Sequence, residues 1–364
     1  MNILYISTSY VPSMSANSIQ VMQMCQAMAQ QGHQLLLLAL QGKQSVDCFG
    51  YYDDQRLFKV QQFSNYGGFK GNDYVLKCLF IALKQHPDLV YTRNLKIAAV
   101  FSLLGFKTIY EAHEPPIYGF SAQYYQWLIK GRGFSGCVSI SSALLTQHQQ
   151  KTPDSKKNKL LVAHDAVDVQ KFNLPSRSNK HFNVGYVGNL YTGKGIELII
   201  SLAQALVTEK NIHFIIVGGN PQQRHFWQQQ SPANIEYQPA VAHQKIPHIL
   251  AAMDVLLMPY QTTVHGGSGN QNISAWMSPL KMFEYMASSK PIIASDLPVL
   301  KEVLQHEQNA LLVNPNDVTG WSQSILRLKK NPVFADKLTK QAFQDVQQSY
   351  TWKKRVDTIL EECL

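Results

Sequence analysis

Short apolar runs recur along this chain at intervals that suit one architecture. Asn2–Ser7, Leu35–Leu40, Leu89–Thr92, Lys107–Glu111, Gly136–Ile140 and Lys159–Ala163 are each brief and mostly apolar. That is the pattern of parallel strands covered on both faces. Helical spacing fills the gaps. Ile19–Gln31 predicts a helix that stops at Gly32, a usual C-terminal signal. Tyr74, Leu76, Leu79, Phe80 and Leu83, interleaved with Lys70, Lys77 and Lys84, predict an amphipathic helix within 67–85. Packing of one face on a sheet is the favoured reading, and contact with an anionic membrane the alternative. After a polar, turn-rich stretch at Pro175–Lys180 the alternation restarts with Phe182–Val187, His213–Val217, Val255–Met258 and the run Pro291–Ala294. Strand and helix in alternation imply an α/β fold with two parallel sheets.

In open sheets of this kind ligands bind where strands end and helices begin. The first such turn, Thr8–Ser18, offers the small polar residues Asn17 and Ser18. Lys107–Glu111 runs directly into Ala112-His113-Glu114-Pro115-Pro116, so His113 stands at a strand end. Phe182–Val187 runs into Gly188-Asn189-Leu190-Tyr191-Thr192-Gly193-Lys194-Gly195, whose glycines allow close backbone approach and whose Lys194 supplies a charge for phosphate. Gly218 and Gly219 follow the next strand. Ser278-Pro279-Leu280-Lys281 opens a helix whose unpaired N–H groups and dipole favour phosphate. Glu284 lies further along it, placed for a ribose hydroxyl pair. The long loop from Met258 to Trp276, with its His265–Asn270 glycine cluster, reads as a candidate lid.

Length and composition narrow the class. The chain has 364 residues, 45% hydrophobic and 16% charged, which fits two packed domains and excludes disorder. The net charge of +9 and a pI near 9.1 favour anionic partners. No basic–aromatic groove motif points to nucleic acid. Five scattered cysteines without a CxxC pair suggest reduced thiols in a cytosolic protein. No apolar run approaches a membrane span, and no signal peptide is evident.

The Ser278–Glu284 stretch and the Gly188–Gly195 turn together resemble the retaining family-four glycosyltransferases, a GT-B group that uses nucleotide sugars. Glu284 matches the second glutamate of that family's Glu-x7-Glu motif, while Trp276 stands at the first. Asn189 takes the place of the usual arginine before Lys194. Asn17 and Ser18 stand where a glycine pair is common. The resemblance implies two Rossmann-like domains facing across a cleft. Residues 1–172, completed by the final helix in 350–364, would form the acceptor side, and residues 173–349 the nucleotide-sugar side. It implies transfer with retention and no metal or other cofactor, the nucleotide sugar being a co-substrate. His113, Lys194 and Glu284 would be catalytic. Donor binding would involve Asn17, Ser18, Gly188, Asn189, Lys194, Gly218, Gly219, Ser278, Pro279, Leu280, Lys281 and Glu284. Acceptors in such a family are glycans or polyprenyl-linked sugars in capsule or lipopolysaccharide synthesis, in the cytoplasm with peripheral contact at the anionic inner membrane. A nucleotide-binding subunit without activity and a GT-B sugar-nucleotide epimerase are the rival readings.

Overall fold

The computed structural model describes the chain except for residues 44–45, 65–70, 117–118, 176–179 and 266–271. It divides into two units, Met1–Asp165 with Trp352–Leu364, and Ala166–Thr351. The boundary therefore precedes Ala166 rather than following Phe172. The cause is packing: Val167 and Phe172 are buried in the second unit's core, and Val167 bridges to Thr351. The polar stretch expected as a linker lies mostly outside the described residues.

The first unit runs β1 (Asn2–Val11), α1 (Ala16–Gln30), β2 (Gln34–Gln41), α2 (Cys48–Tyr52), β3 (Lys59–Phe63), α3 (Asn72–Gln85), β4 (Leu89–Thr92), α4 (Leu95–Leu103), β5 (Thr108–Ala112), α5 (Gly119–Lys130), β6 (Phe134–Ser139), α6 (Ser142–Gln149) and β7 (Leu160–Val162). Its strands pair in the order β3-β2-β1-β4-β5-β6-β7, every pair parallel. Strand order reverses between β1 and β4, the point where such sheets open a crevice at their C-terminal edge.

The second unit runs α7 (Val169–Phe172), β8 (Phe182–Val187), α8 (Ile196–Ala205), β9 (Ile212–Val217), α9 (Pro221–Gln228), β10 (Ile235–Gln238), α10 (Ile246–Ala251), β11 (Val255–Met258), α11 (Leu280–Ala287), β12 (Ile292–Ser295), β13 (Leu311–Val313), α12 (Val318–Lys330) and α13 (Pro332–Ser349). The order is β10-β9-β8-β11-β12-β13, again all parallel, with its reversal between β8 and β11. The last helix, α14 (Trp352–Cys363), belongs to the first unit.

Central strands are the apolar runs of the sequence because both faces are covered: β4, β11 and β12 are buried throughout. The edge strands β3 and β10 carry lysine, glutamine and glutamate and are half exposed. That polarity, usual at sheet edges, hid them from the sequence pattern. All five cysteines are buried and free. Among the described residues no helix is long and apolar enough to cross a membrane.

Helix α3 differs from the single apolar face read in the sequence. Tyr74, Val75, Cys78 and Ala82 face the core, while Leu76, Phe80 and Leu83 are 66%, 60% and 60% exposed. Its outward stripe follows i, i+4, i+7 spacing. Helix α5 repeats the device with Phe120, Tyr124 and Trp127, whose rings run in contact along the helix.

Candidate functional site

In the second unit the chemistry gathers at the β8–β11 reversal. The turn after β8 holds Gly188 and Lys194, and Pro259–Tyr260 follows β11. Gly195 has φ +80, and a side chain there would meet the Pro259 carbonyl. Gly218, with φ +140, abuts the Gly188 carbonyl in the same way. Glycine is required at both because the two turns touch backbone to backbone. Arg224 of α9 braces the Gly218–Gly219 turn by donating to the Gly219 carbonyl at 2.6 Å.

Helix α11 is pinned beside this turn. Tyr285 Oη accepts the Val187 backbone N–H at 2.9 Å at the end of β8. Pro279 is the residue before the helix rather than within its first turn: its ψ of 122° is extended and Leu280 begins the helix, with no side chain capping it. Ser278 is buried just before it.

Two lysines converge here. Lys281 Nζ lies 3.9 Å from the Tyr186 ring centre and 5.5 Å from that of Tyr260. Lys194 Nζ lies 4.9 Å from the same Tyr260 ring. Among the described residues Lys281 Nζ is buried with no hydrogen-bond partner, and neither ammonium has an ion pair. Ring faces hold a cation weakly, by about 0.5–2 kcal/mol, and do not neutralise it. Burial pushes Lys194 down to about 8, and burial together with the nearby Lys194 holds Lys281 well below the usual lysine range.

Glu284 sits on the same helix. His243 Nε2 is 2.7 Å from Glu284 Oε1 and its ring packs on Phe172. One carboxylate oxygen is thus engaged within the protein. Asn189 is exposed, and its carbonyl accepts from Tyr186 Oη at 2.7 Å. The glycine-rich candidate lid falls largely on 266–271, outside the described residues. Its base is closed by Ile273 N–H donating to the Val264 carbonyl at 2.8 Å.

In the first unit His113 follows β5. Glu111, fully buried on that strand, lies 2.7 Å from His113 Nε2 and accepts from Gln20 at 2.6 Å, from Arg355 of α14 at 2.9 Å and from Tyr91. Ser18 does not serve the phosphate role expected of it. It is fully buried in the first turn of α1; its N–H donates to Ser15 Oγ at 3.3 Å, and its hydroxyl donates to the Tyr10 carbonyl at 2.9 Å and bonds Tyr52. A cap at Ser15 holds its N–H, and Tyr10 and Tyr52 hold its hydroxyl. Asn17 is exposed beside it, its carbonyl 3.4 Å from Arg93.

Sequence reasoning missed Tyr186, Tyr260, His243, Glu111 and Arg355. The two tyrosines read as core residues, and Arg355 as an ordinary charge on a terminal helix. Only the strand-end position of Glu111 offered a signal.

Comparison with known proteins accords with this geometry. Residues 181–331 match the family model described as glycosyl transferases group 1, the segment that carries Gly188, Lys194, Lys281 and Glu284. An uncharacterized glycosyltransferase of Methanocaldococcus jannaschii is 22% identical over 177 residues, 46% of this chain and 40% of that protein. The O-antigen chain mannosyltransferase of Salmonella typhimurium is 45% identical over 49 residues, 14% of this chain and 13% of that protein. The matched stretches thus span less than half of either relative. Among solved structures, Anabaena HepE in complex with UDP and glucose superposes with a TM-score of 0.73 at 16% identity, covering 99% of this chain and 98% of its own. That likeness is one of fold: two parallel-sheet α/β domains of the GT-B type.

Proposed function

We propose that this chain is a retaining glycosyltransferase that moves a sugar from a nucleoside-diphosphate sugar to a glycan or lipid-linked acceptor in surface polysaccharide synthesis. The observation that carries the reading is the Lys194–Lys281 pair, two buried amines turned to one ring with no ion-pair partner among the described residues. A diphosphate supplies the missing charge, and charge-assisted contacts in a desolvated site are strong. Lys281 compensates for Asn189, where the resembled family carries arginine. The first-turn N–H groups of α11 add to the same seat, and Glu284 Oε2 takes a ribose hydroxyl. As charge builds on the departing diphosphate, both lysines stabilise it, so turnover is expected to proceed in EDTA. His113 is the first unit's contribution, a hydrogen-bond partner for a sugar hydroxyl.

The outward stripes of α3 and α5 support an acceptor presented at an anionic lipid surface. Leu76, Phe80 and Leu83 lie beside Lys77 and Lys84, and Phe120, Tyr124 and Trp127 lead to Lys130 at the end of α5. Apolar side chains between lysines suit the interface of an acidic bilayer.

Calorimetric titration with UDP, GDP, dTDP, ADP and CMP tests the site. The reading expects one diphosphate to bind without magnesium and Lys194→Ala or Lys281→Ala to weaken it. No binding by any of them would favour a subunit without donor chemistry. Donor turnover that needs no acceptor would favour an epimerase.

A further inference from the structure

Glu111 is a fully buried carboxylate ringed by polar and charged side chains. Arg355 Nη1 lies 2.9 Å from Oε2, Gln20 Nε2 2.6 Å and His113 Nε2 2.7 Å from Oε1, Tyr91 donates from β4, and Arg93 Nε stands at 3.9 Å. Arg355 is itself fixed by the His164 carbonyl at 2.8 Å and the Ala163 carbonyl at 3.2 Å. Arg93 is held by Gln20 Oε1 at 2.8 Å. Of this cluster His113 is the most exposed, with 23% of its side chain open to solvent against 16% for Arg93.

We propose that Glu111, clamped by Arg355 of α14, is a positioning residue that fixes His113 as its Nε2–H tautomer, so that Nδ1 faces the reacting sugar as a hydrogen-bond acceptor. The first step is chemical: an ionised carboxylate only accepts, so the imidazole nitrogen facing it carries the proton. The second step decides charge. A lone Glu–His pair would favour imidazolium. Here burial, and then Arg93, push His113 down to about 4 against the pull of Glu111, with Arg355 adding to the depression. Burial alone would raise Glu111, yet Arg355, His113 and Arg93 outweigh it and hold the carboxyl well below its ordinary range. Asp165, the other carboxyl facing Arg355, is pushed up to about 6 by burial and so competes little for that guanidinium below pH 6. A neutral imidazole with one lone pair outward accepts from a hydroxyl and repels no ammonium or metal-like charge. Among the described residues His113 Nδ1 has no protein partner.

The role toward a sugar hydroxyl rests on the glycosyl-transfer reading; the tautomer does not. Long-range 1H–15N correlation spectra of the intact free protein between pH 5 and 8 read it directly. A neutral Nε2–H ring throughout is expected. An Nδ1–H ring, or conversion to imidazolium within that range, overturns the proposal. Because Glu111→Gln leaves Arg355 buried without its charge partner, the companion variant is Glu111→Gln/Arg355→Met, which removes both charges. With the pull of Glu111 gone and burial and Arg93 still acting, its His113 should stay neutral and lose its fixed tautomer, showing a mixture of Nδ1–H and Nε2–H rings. Its kcat should fall at least about tenfold while the nucleotide Kd holds. Wild-type spectra and rate in that variant would refute positioning. His113→Asn, whose Oδ1 falls near the Nδ1 position, should retain more activity than His113→Gln. If wild-type protein binds no nucleotide, the transfer reading fails, and the spectra still decide the tautomer.

Discussion

At the scale of single residues, the proposed donor site rests on Lys194 and Lys281. Each is depressed by burial in the free protein, and a bound diphosphate reverses that bias by favouring the charged form. Binding should therefore take up protons near and above pH 8. The contribution of Lys194 should be lost as pH rises through about 8, where the free side chain loses its proton. Calorimetry in buffers of different ionisation enthalpy measures the uptake. Loss of either ammonium should cost about 1.5–3 kcal/mol of diphosphate binding, the range for hydrogen bonds to charged groups. That Lys194, Lys281 and Glu284 lie close together was legible because a glycine turn and a helix start stand within a few residues of them. Ser18 was misread because a small polar residue before a helix serves equally as an internal bond partner, and Tyr52, which claims it, lies far along the chain. Glu111 was missed for the same reason on a larger scale, since Arg355 is 244 residues away.

Elements show a different balance. Central strands were legible from apolar runs, because burial on both faces leaves no room for polar residues. Edge strands were not, because exposure permits lysine and glutamine in β3 and β10. In α3 the sequence showed apolar abundance but not its division between two opposite faces. That division makes a prediction. Phe80→Glu and Trp127→Glu remove exposed apolar area and add charge of the wrong sign for an acidic surface. Both should fold like the parent, surface changes of this kind costing within about 0.5 kcal/mol. Both should cosediment less with vesicles rich in phosphatidylglycerol. Equal retention by all variants would remove α3 and α5 as membrane contacts.

On the scale of the whole molecule, the two units should answer pH in opposite directions. In the first unit burial pushes both His113 and His148 down to about 4. The unfolded chain accepts those protons below about 6.5, so stability falls as pH drops from there to about 4, offset in part by Asp165, whose burial penalty is relieved as it takes up a proton below about 6. Glu111, held low, adds to the loss as pH falls further below about 4.3, the ordinary glutamate value. In the second unit the depressed lysines impose a penalty that is complete below about 8 for Lys194 and is relieved as pH rises toward about 10.4. Hydrogen exchange of core peptides across this range should show the first unit loosening first in acid. The second should tighten mildly in base or when an anion binds.

The return of α14 to the first unit also sets an order of events during synthesis. Residues 166–351 emerge from the ribosome as an uninterrupted piece, while the sheet that precedes them still lacks its last helix. Glu111 waits for Arg355 across 244 residues, roughly 12–50 s at translation rates of about 5–20 residues per second. During that interval the carboxylate is without its guanidinium partner and the flank of α1 that packs on α14 stays uncovered. The half of the chain made first is thus completed last, and a nascent chain stalled before Trp352 would be a substrate for chaperones even with its later half already folded.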